Sequence, residues 1–230
     1  YLVMAGILVL VAIAILFSSL PEIKPSEANA EQAGMGERLG KQSVFQFPHL
    51  WLGVLCLFVY VGVEVLAGDA IGTYGNGFGL PLDQTKFFTS FTLGAMLLGY
   101  VVGLLAIPRF VSQERFLSIS AVLGVAFAIA AYFTEGYVSV GFVAALGFAN
   151  AMMWPAIFPL AIKGLGRFTE TGSALLIMGI AGGAIIPQLF AVLKQHYDFQ
   201  LVFMALAVPC YLYILFFARV GHRIGKAPKA

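Results

Sequence analysis

The chain has 230 residues, of which 60% are hydrophobic and only 10% charged, with a formal net charge of +2 and a mean hydropathy of +0.94. A water-soluble domain of this length covers its surface with about a quarter charged residues, so this composition excludes a soluble globular domain and specifies a membrane protein. Cys56 and Cys210 both fall inside apolar runs, where cysteine behaves as a small hydrophobe, and no disulfide is expected.

A spanning helix needs about 20 mostly apolar residues. Taken in chain order, seven segments qualify, near residues 1–20, 48–74, 86–107, 115–134, 137–162, 171–193 and 199–219. The first opens at Tyr1 with no basic flank and no small-residue cleavage site, and is read as starting mid-protein rather than as a signal peptide. Residues 21–47 form the one long polar stretch, with both signs of charge and little apolar material, and read as a linker. Residues 220–230 form a basic tail.

The positive charges orient the spans. One set of loops, made of residues 21–47, 107–115, 163–170 and the tail from 219, holds eleven of the thirteen Lys and Arg residues; the other set holds only Lys86 and Lys194. The positive-inside rule places the first set, and with it the C-terminus, in the cytoplasm. One helix, a cytoplasmic linker and six further helices are the layout of a twelve-helix transporter's second half, preceded by the last helix of its first half. The six helices echo as two triplets: the middle helix of one carries Gly94, Gly99 and Gly103, that of the other Gly179, Gly182 and Gly183. Small residues at such positions admit close backbone approach, and paired triplets are the repeat unit of many secondary transporters.

The second span holds the first candidate site. Glu64 lies about sixteen residues into it, near the bilayer midplane, where a carboxylate costs about 2.5 to 3.5 kcal/mol and so needs a wet cavity, a partner or a proton. Tyr60, at i−4, is placed to donate a hydrogen bond to it; the plainer reading is an interhelical hydrogen bond that only holds two helices together. Asp69 stands about 140° around the helix, where Gly68 and the following "IGTYGNGFG" loosen the turn. It reads either as a solvated helix end or as an ion or gating group, and the two carboxylates do not form a dyad.

The fifth span, "GFVAALGFANAMMWPAIFPLAIKGLG", is the second polar spot. Asn150 and Trp154 stand at i, i+4, so an amide and an indole are expected on one side near mid-membrane, with Pro155 and Pro159 breaking the ladder just after them. An aromatic face beside amide and carboxylate groups is the chemistry that holds a sugar ring, since C–H faces stack and hydroxyls hydrogen-bond; the alternative is an interface-belt tryptophan. Gln188, after Pro187, is a further candidate, or else an amide satisfying backbone freed by the proline. His49 and His196 fall at opposite membrane ends and His222 in the tail, so no metal site is expected.

The segments "YVGVEVLAGDAIGTYG", "MWPAIFPLAIKGLGRFTETGSALLIMGIAGGAIIP" and "IPRFVSQERF" resemble the fucose, glucose/galactose permease family of the major facilitator superfamily, from about residue 45 to about 220. "VGVEV" looks more like the glucose, galactose or N-acetylglucosamine branch than the fucose branch. The resemblance implies an all-α membrane protein whose residues 48–219 form the C-terminal six-helix bundle, with residues 1–20 the last helix of the N-terminal half. It implies a cation-coupled hexose or amino-hexose symporter of the bacterial inner membrane that works by alternating access, not an enzyme. Trp154 matches the family's aromatic sugar-binding position, and Glu64 lies in its cavity-lining seventh helix. Substrate-binding candidates are therefore Glu64, Trp154, Asn150, Tyr60 and Gln188, and coupling candidates Glu64 and Asp69. No cofactor is implied beyond H⁺ or Na⁺ as coupling ion. The implied partners are a small-molecule sugar, the bilayer and the N-terminal half of the same transporter, in a monomer, with no nucleic acid. The alternative is a transport-inactive sugar sensor or binding protein on the same fold. An intramembrane hydrolase built on Glu64 and Asp69 is disfavoured by their separation around the helix.

Overall fold

The structure is a computed structural model and describes residues 2–16, 42–107 and 109–225. The polar stretch expected to be a linker lies mostly outside these residues. Eleven α-helices follow in order: α1 (Leu2–Leu16), α2 (Pro48–Asp69), α3 (Ile71–Gly77), α4 (Leu82–Thr85), α5 (Phe88–Ala106), α6 (Gln113–Tyr132), α7 (Gly136–Asn150), α8 (Met153–Ile162), α9 (Thr169–Met178), α10 (Gly182–Leu193) and α11 (Phe199–Arg219). Short 3₁₀ turns precede α2 and α9, join α9 to α10 and follow α11.

Among the described residues, six helical runs are long and apolar enough to cross a membrane: Pro48–Asp69, Leu82–Ala106, Gln113–Tyr132, Gly136–Ile162, Gly166–Leu193 and Phe199–Arg223. They coincide with the last six of the seven expected spans. The first is described only as the fifteen-residue α1, and the rest of the expected span lies outside the described residues.

The runs begin where the sequence supplies a cap. Ser112 caps α6, its Oγ accepting the Arg115 backbone N–H at 3.4 Å, and Asp198 caps α11 by accepting the Leu201 N–H at 2.8 Å. Pro48 opens α2 at a position whose N–H would have no intrahelical partner.

Helix α2 forms the spine, packing against α8, α9, α10 and α11. Small residues set its approach to the α9–α10 run. A Cβ on Gly182 would collide with the Phe58 carbonyl, one on Gly179 would stand 3.0 Å from the Val54 oxygen, and one on Gly183 would lie 3.0 Å from Val61 and Val65. In the other triplet, Gly99 faces Ala151 and Phe148, and Gly103 faces Met152, whereas Gly94 has no neighbour among the described residues for a Cβ to meet. Five of the six glycines thus work as expected. Gly94 does not, because it lies on the exposed side of α5.

Besides the turns between α4 and α5 and between α9 and α10, two further spans are discontinuous. The first of them stops at Asp69, turns at Ala70 and resumes as α3, where Gly68 had suggested loosening. The carbonyls of a helix's last turn lack intrahelical donors; here Thr89 Oγ1 donates to the Gly68 oxygen at 2.9 Å and Thr92 Oγ1 to the Ala67 oxygen at 3.3 Å, both from α5. The other breaks at Ala151–Met152, between α7 and α8. This corrects the sequence expectation: the ladder is interrupted between Asn150 and Trp154, not after them. Pro155 offers no N–H to the carbonyl four residues earlier, so its effect appears upstream of its own position. Pro159, by contrast, is accommodated inside α8.

Candidate functional site

Glu64 sits in the last third of α2, half-buried, less than two turns before the break at Ala70. Its Oε1 accepts a 2.6 Å hydrogen bond from Tyr60 Oη, the partner that the i, i+4 spacing calls for. Neither ion pair among the described residues includes Glu64. Such a carboxylate, with a short hydrogen bond and no cation, has unused acceptor capacity.

Tyr60 itself is fully buried, and its ring meets the indole of Trp154 edge to face, with centroids 6.5 Å apart and planes at 64°. The tyrosine therefore ties the acid of α2 to the tryptophan of α8. Trp154 is partly exposed at the first turn of α8, directly after the break. Tyr100 of α5 and Tyr211 of α11 lie close enough to Glu64 to interact with it electrostatically. Four elements thus converge on one region: α2, α5, α8 and α11.

Asn150 is placed differently from the expectation of an amide displayed beside the indole. It is wholly buried at the end of α7, and its Oδ1 accepts a 2.9 Å bond from Tyr211 Oη. Among the described residues its Nδ2 has no partner. The chain break at residues 151–152 separates Asn150 from Trp154, so the two do not form a single helical face. Asn150 belongs to the wall behind the tyrosines.

Gln188 is not brought to this cluster. It is exposed on α10, on the side opposite Gly182, Ile186 and Phe190, the residues by which that helix packs inward. Asp69 is exposed at the C-terminus of α2, lining a shallow cavity of about 370 Å³ together with Asn76, Lys86 and Thr89, and apart from Glu64 as the helical spacing requires.

Sequence reasoning missed Tyr211 and Tyr100. The signal was present for Tyr211: "VPCYLY" places a tyrosine mid-span beside Pro209, in an otherwise apolar helix. It also missed the ion pairs at the C-terminal end of α11. There Glu114 accepts from Arg223 at 2.8 Å and lies 3.3 Å from His222 Nε2, while His222 Nδ1 is 2.9 Å from the Phe217 carbonyl.

No protein-family model matches the chain. It is 30% identical over 226 residues to the glucose/galactose transporter of Brucella abortus, covering 97% of this chain and 53% of that protein. It is 28% identical over 229 residues to a putative glucose/galactose transporter of Helicobacter pylori, covering 97% of this chain and 54% of that one. With the L-fucose-proton symporter of Escherichia coli it shares 28% identity over 193 residues, 81% of this chain and 42% of the symporter. Among solved structures, the major facilitator superfamily transporter FucP in its outward conformation matches with a TM-score of 0.77 at 24% identity, over 96% of this chain and 53% of that one. The chain spans about half the length of the relatives it matches. Fold and sequence agree: this chain is a homologue of the glucose/galactose transporters and L-fucose-proton symporters, and it has the fold of the C-terminal half of a major facilitator superfamily transporter.

Proposed function

We propose that the chain is the C-terminal half of a cation-coupled symporter for a hexose or amino-hexose, working by alternating access in a bacterial inner membrane. In this reading residues 1–20 end the N-terminal half, residues 21–47 link the halves on the cytoplasmic side, and residues 220–230 form a cytoplasmic tail. The observation that carries it is the hydrogen-bonded, ring-to-ring chain Glu64–Tyr60–Trp154. It sets an unpaired carboxylate, a hydroxyl and a partly exposed indole side by side on two discontinuous spans, and broken helices in membranes are tolerated where they line a cavity or are buried in protein.

In this arrangement the indole stacks on the apolar face of the pyranose. Glu64 takes sugar hydroxyls or the coupling cation with its free oxygen, and Tyr60 holds the carboxylate in position. Tyr211 and Asn150, joined by their hydrogen bond, form the supporting wall. Asp69 and Gln188 are left outside the substrate group. Relatives named for glucose/galactose and for fucose-proton symport support a sugar as substrate and a cation as driver.

The test is sugar counterflow and uphill uptake by the full-length protein in proteoliposomes, with and without Na⁺ and across a pH series. Glu64→Gln should abolish accumulation against a gradient. Undiminished uphill uptake by that variant would remove Glu64 from coupling, and absence of counterflow in the wild-type protein would remove transport itself.

A further inference from the structure

At the end of the bundle that carries the C-terminus, the start of α6 and the end of α11 enclose an open cavity of about 730 Å³. Arg115, Arg219 and Arg223 line it, with Ser112, Glu114 and Ile119. The single carboxylate is already occupied: Glu114 pairs with Arg223 at 2.8 Å and with His222 at 3.3 Å. Neither Arg115 nor Arg219 has an ion pair among the described residues, so the cavity presents two uncompensated guanidiniums. The first turn of α6, whose dipole favours negative charge, opens onto the same space.

What lies beneath the arginines identifies the ligand. Along α6, Arg115 is followed at helical spacing by Ile119, Val122 and Ile129, all exposed; along α11, Arg219 is preceded at helical spacing by Phe216 and Leu212, also exposed. The two helices pack against each other, and each stripe runs from its arginine at the cavity into its own span. A free phosphate would use only the guanidiniums. A diacyl lipid uses both parts, with its phosphate on the arginines and its chains along the stripes.

We infer that this cavity is a binding site for the phosphate-bearing headgroup of an anionic phospholipid, held by Arg115 and Arg219, with the acyl chains lying along the exposed apolar residues of α6 and α11. Basic pockets between spanning helices are suited to such headgroups, and a planar guanidinium binds phosphate oxygens in a bidentate fork. The Glu114–Arg223–His222 group closes the rear of the site and joins the segment after α11 to α6.

The experiment is native mass spectrometry of the purified full-length protein, offered phosphatidylglycerol, phosphatidylethanolamine or inorganic phosphate. The wild-type protein should retain phosphatidylglycerol in preference to phosphatidylethanolamine, with inorganic phosphate failing to displace it. Retention should fall on the order of tenfold in the Arg115→Gln/Arg219→Gln double variant, since each basic group near a membrane surface contributes to anionic-lipid attraction. Arg109→Gln, in the same loop but outside the cavity, should leave retention unchanged. Equal retention of both lipids, displacement by inorganic phosphate, or full retention by the double variant would each overturn the assignment. Should the double variant fail to assemble, a photo-crosslinkable phosphatidylglycerol on the wild-type protein decides. Crosslinks within residues 112–119 and 212–223 support the site, and crosslinks confined elsewhere overturn it.

Discussion

Tyr211 donates its hydroxyl to the side-chain carbonyl of Asn150 at 2.9 Å, joining α11 to the end of α7 where both side chains are fully buried. Among the described residues the Asn150 amide makes no other hydrogen bond, and its Nδ2 has no partner. The bond therefore carries the satisfaction of two buried polar groups. Tyr211→Phe leaves the asparagine carbonyl unpaired in a buried site and should cost about 1 to 3 kcal/mol, read as a lower melting temperature in detergent. The double variant Asn150→Leu/Tyr211→Phe removes both polar partners and should recover most of that loss.

Tyr60 links a carboxylate to an indole. Tyr60→Phe keeps the ring contact with Trp154 but deletes the donor to Glu64. Its expected signature is weakened sugar affinity, by about tenfold if the hydrogen bond orients the carboxylate, with thermal stability lowered by only about 1 kcal/mol. Trp154→Ala should weaken sugar affinity and abolish sugar-dependent tryptophan quenching, read by equilibrium fluorescence titration.

The glycines of the α9–α10 run separate packing from permissiveness. Gly182→Ala sets a methyl against the Phe58 backbone carbonyl, which cannot rotate aside, and should cost about 1 to 3 kcal/mol with reduced yield of folded protein. Gly94→Ala adds a methyl in open space on a helix and should be neutral or slightly stabilising. Equal melting temperatures for the two variants would show that the α2–α10 approach is loose.

The Glu114–Arg223 pair is partly solvent-exposed, with side-chain exposures of 35% and 67%. Surface pairs of this kind contribute about 0 to 1 kcal/mol. Glu114→Gln should lower the melting temperature slightly, and the difference from wild type should shrink in about 1 M salt, where such charges are screened.

Much of the fold was legible because long apolar runs between polar loops are dictated by the bilayer itself. The same logic exposed Glu64 and its bond to Tyr60, since both sit on one helix and their spacing is fixed by its geometry. What failed to show were relations between distant segments. Nothing local in "GFAN" indicates that Asn150 turns toward Tyr211, 61 residues on, rather than toward the indole four residues away. Gln188 fits an amide-near-proline pattern, yet the helix face it occupies is set by where Gly182 and Ile186 must pack. The position of the second break misled for a different reason: a proline disturbs the turn before it, and the sequence displays only the proline.

At the discontinuity at Ala70, the carbonyls of Gly68 and Ala67 accept from Thr89 and Thr92 of the neighbouring helix. The break is thus held from one side by α5, while on the other Asp69 stays exposed in the shallow cavity it lines with Asn76 and Lys86. A break braced on one face and open on the other lets the two halves of the span change their angle without breaking their contact with α5.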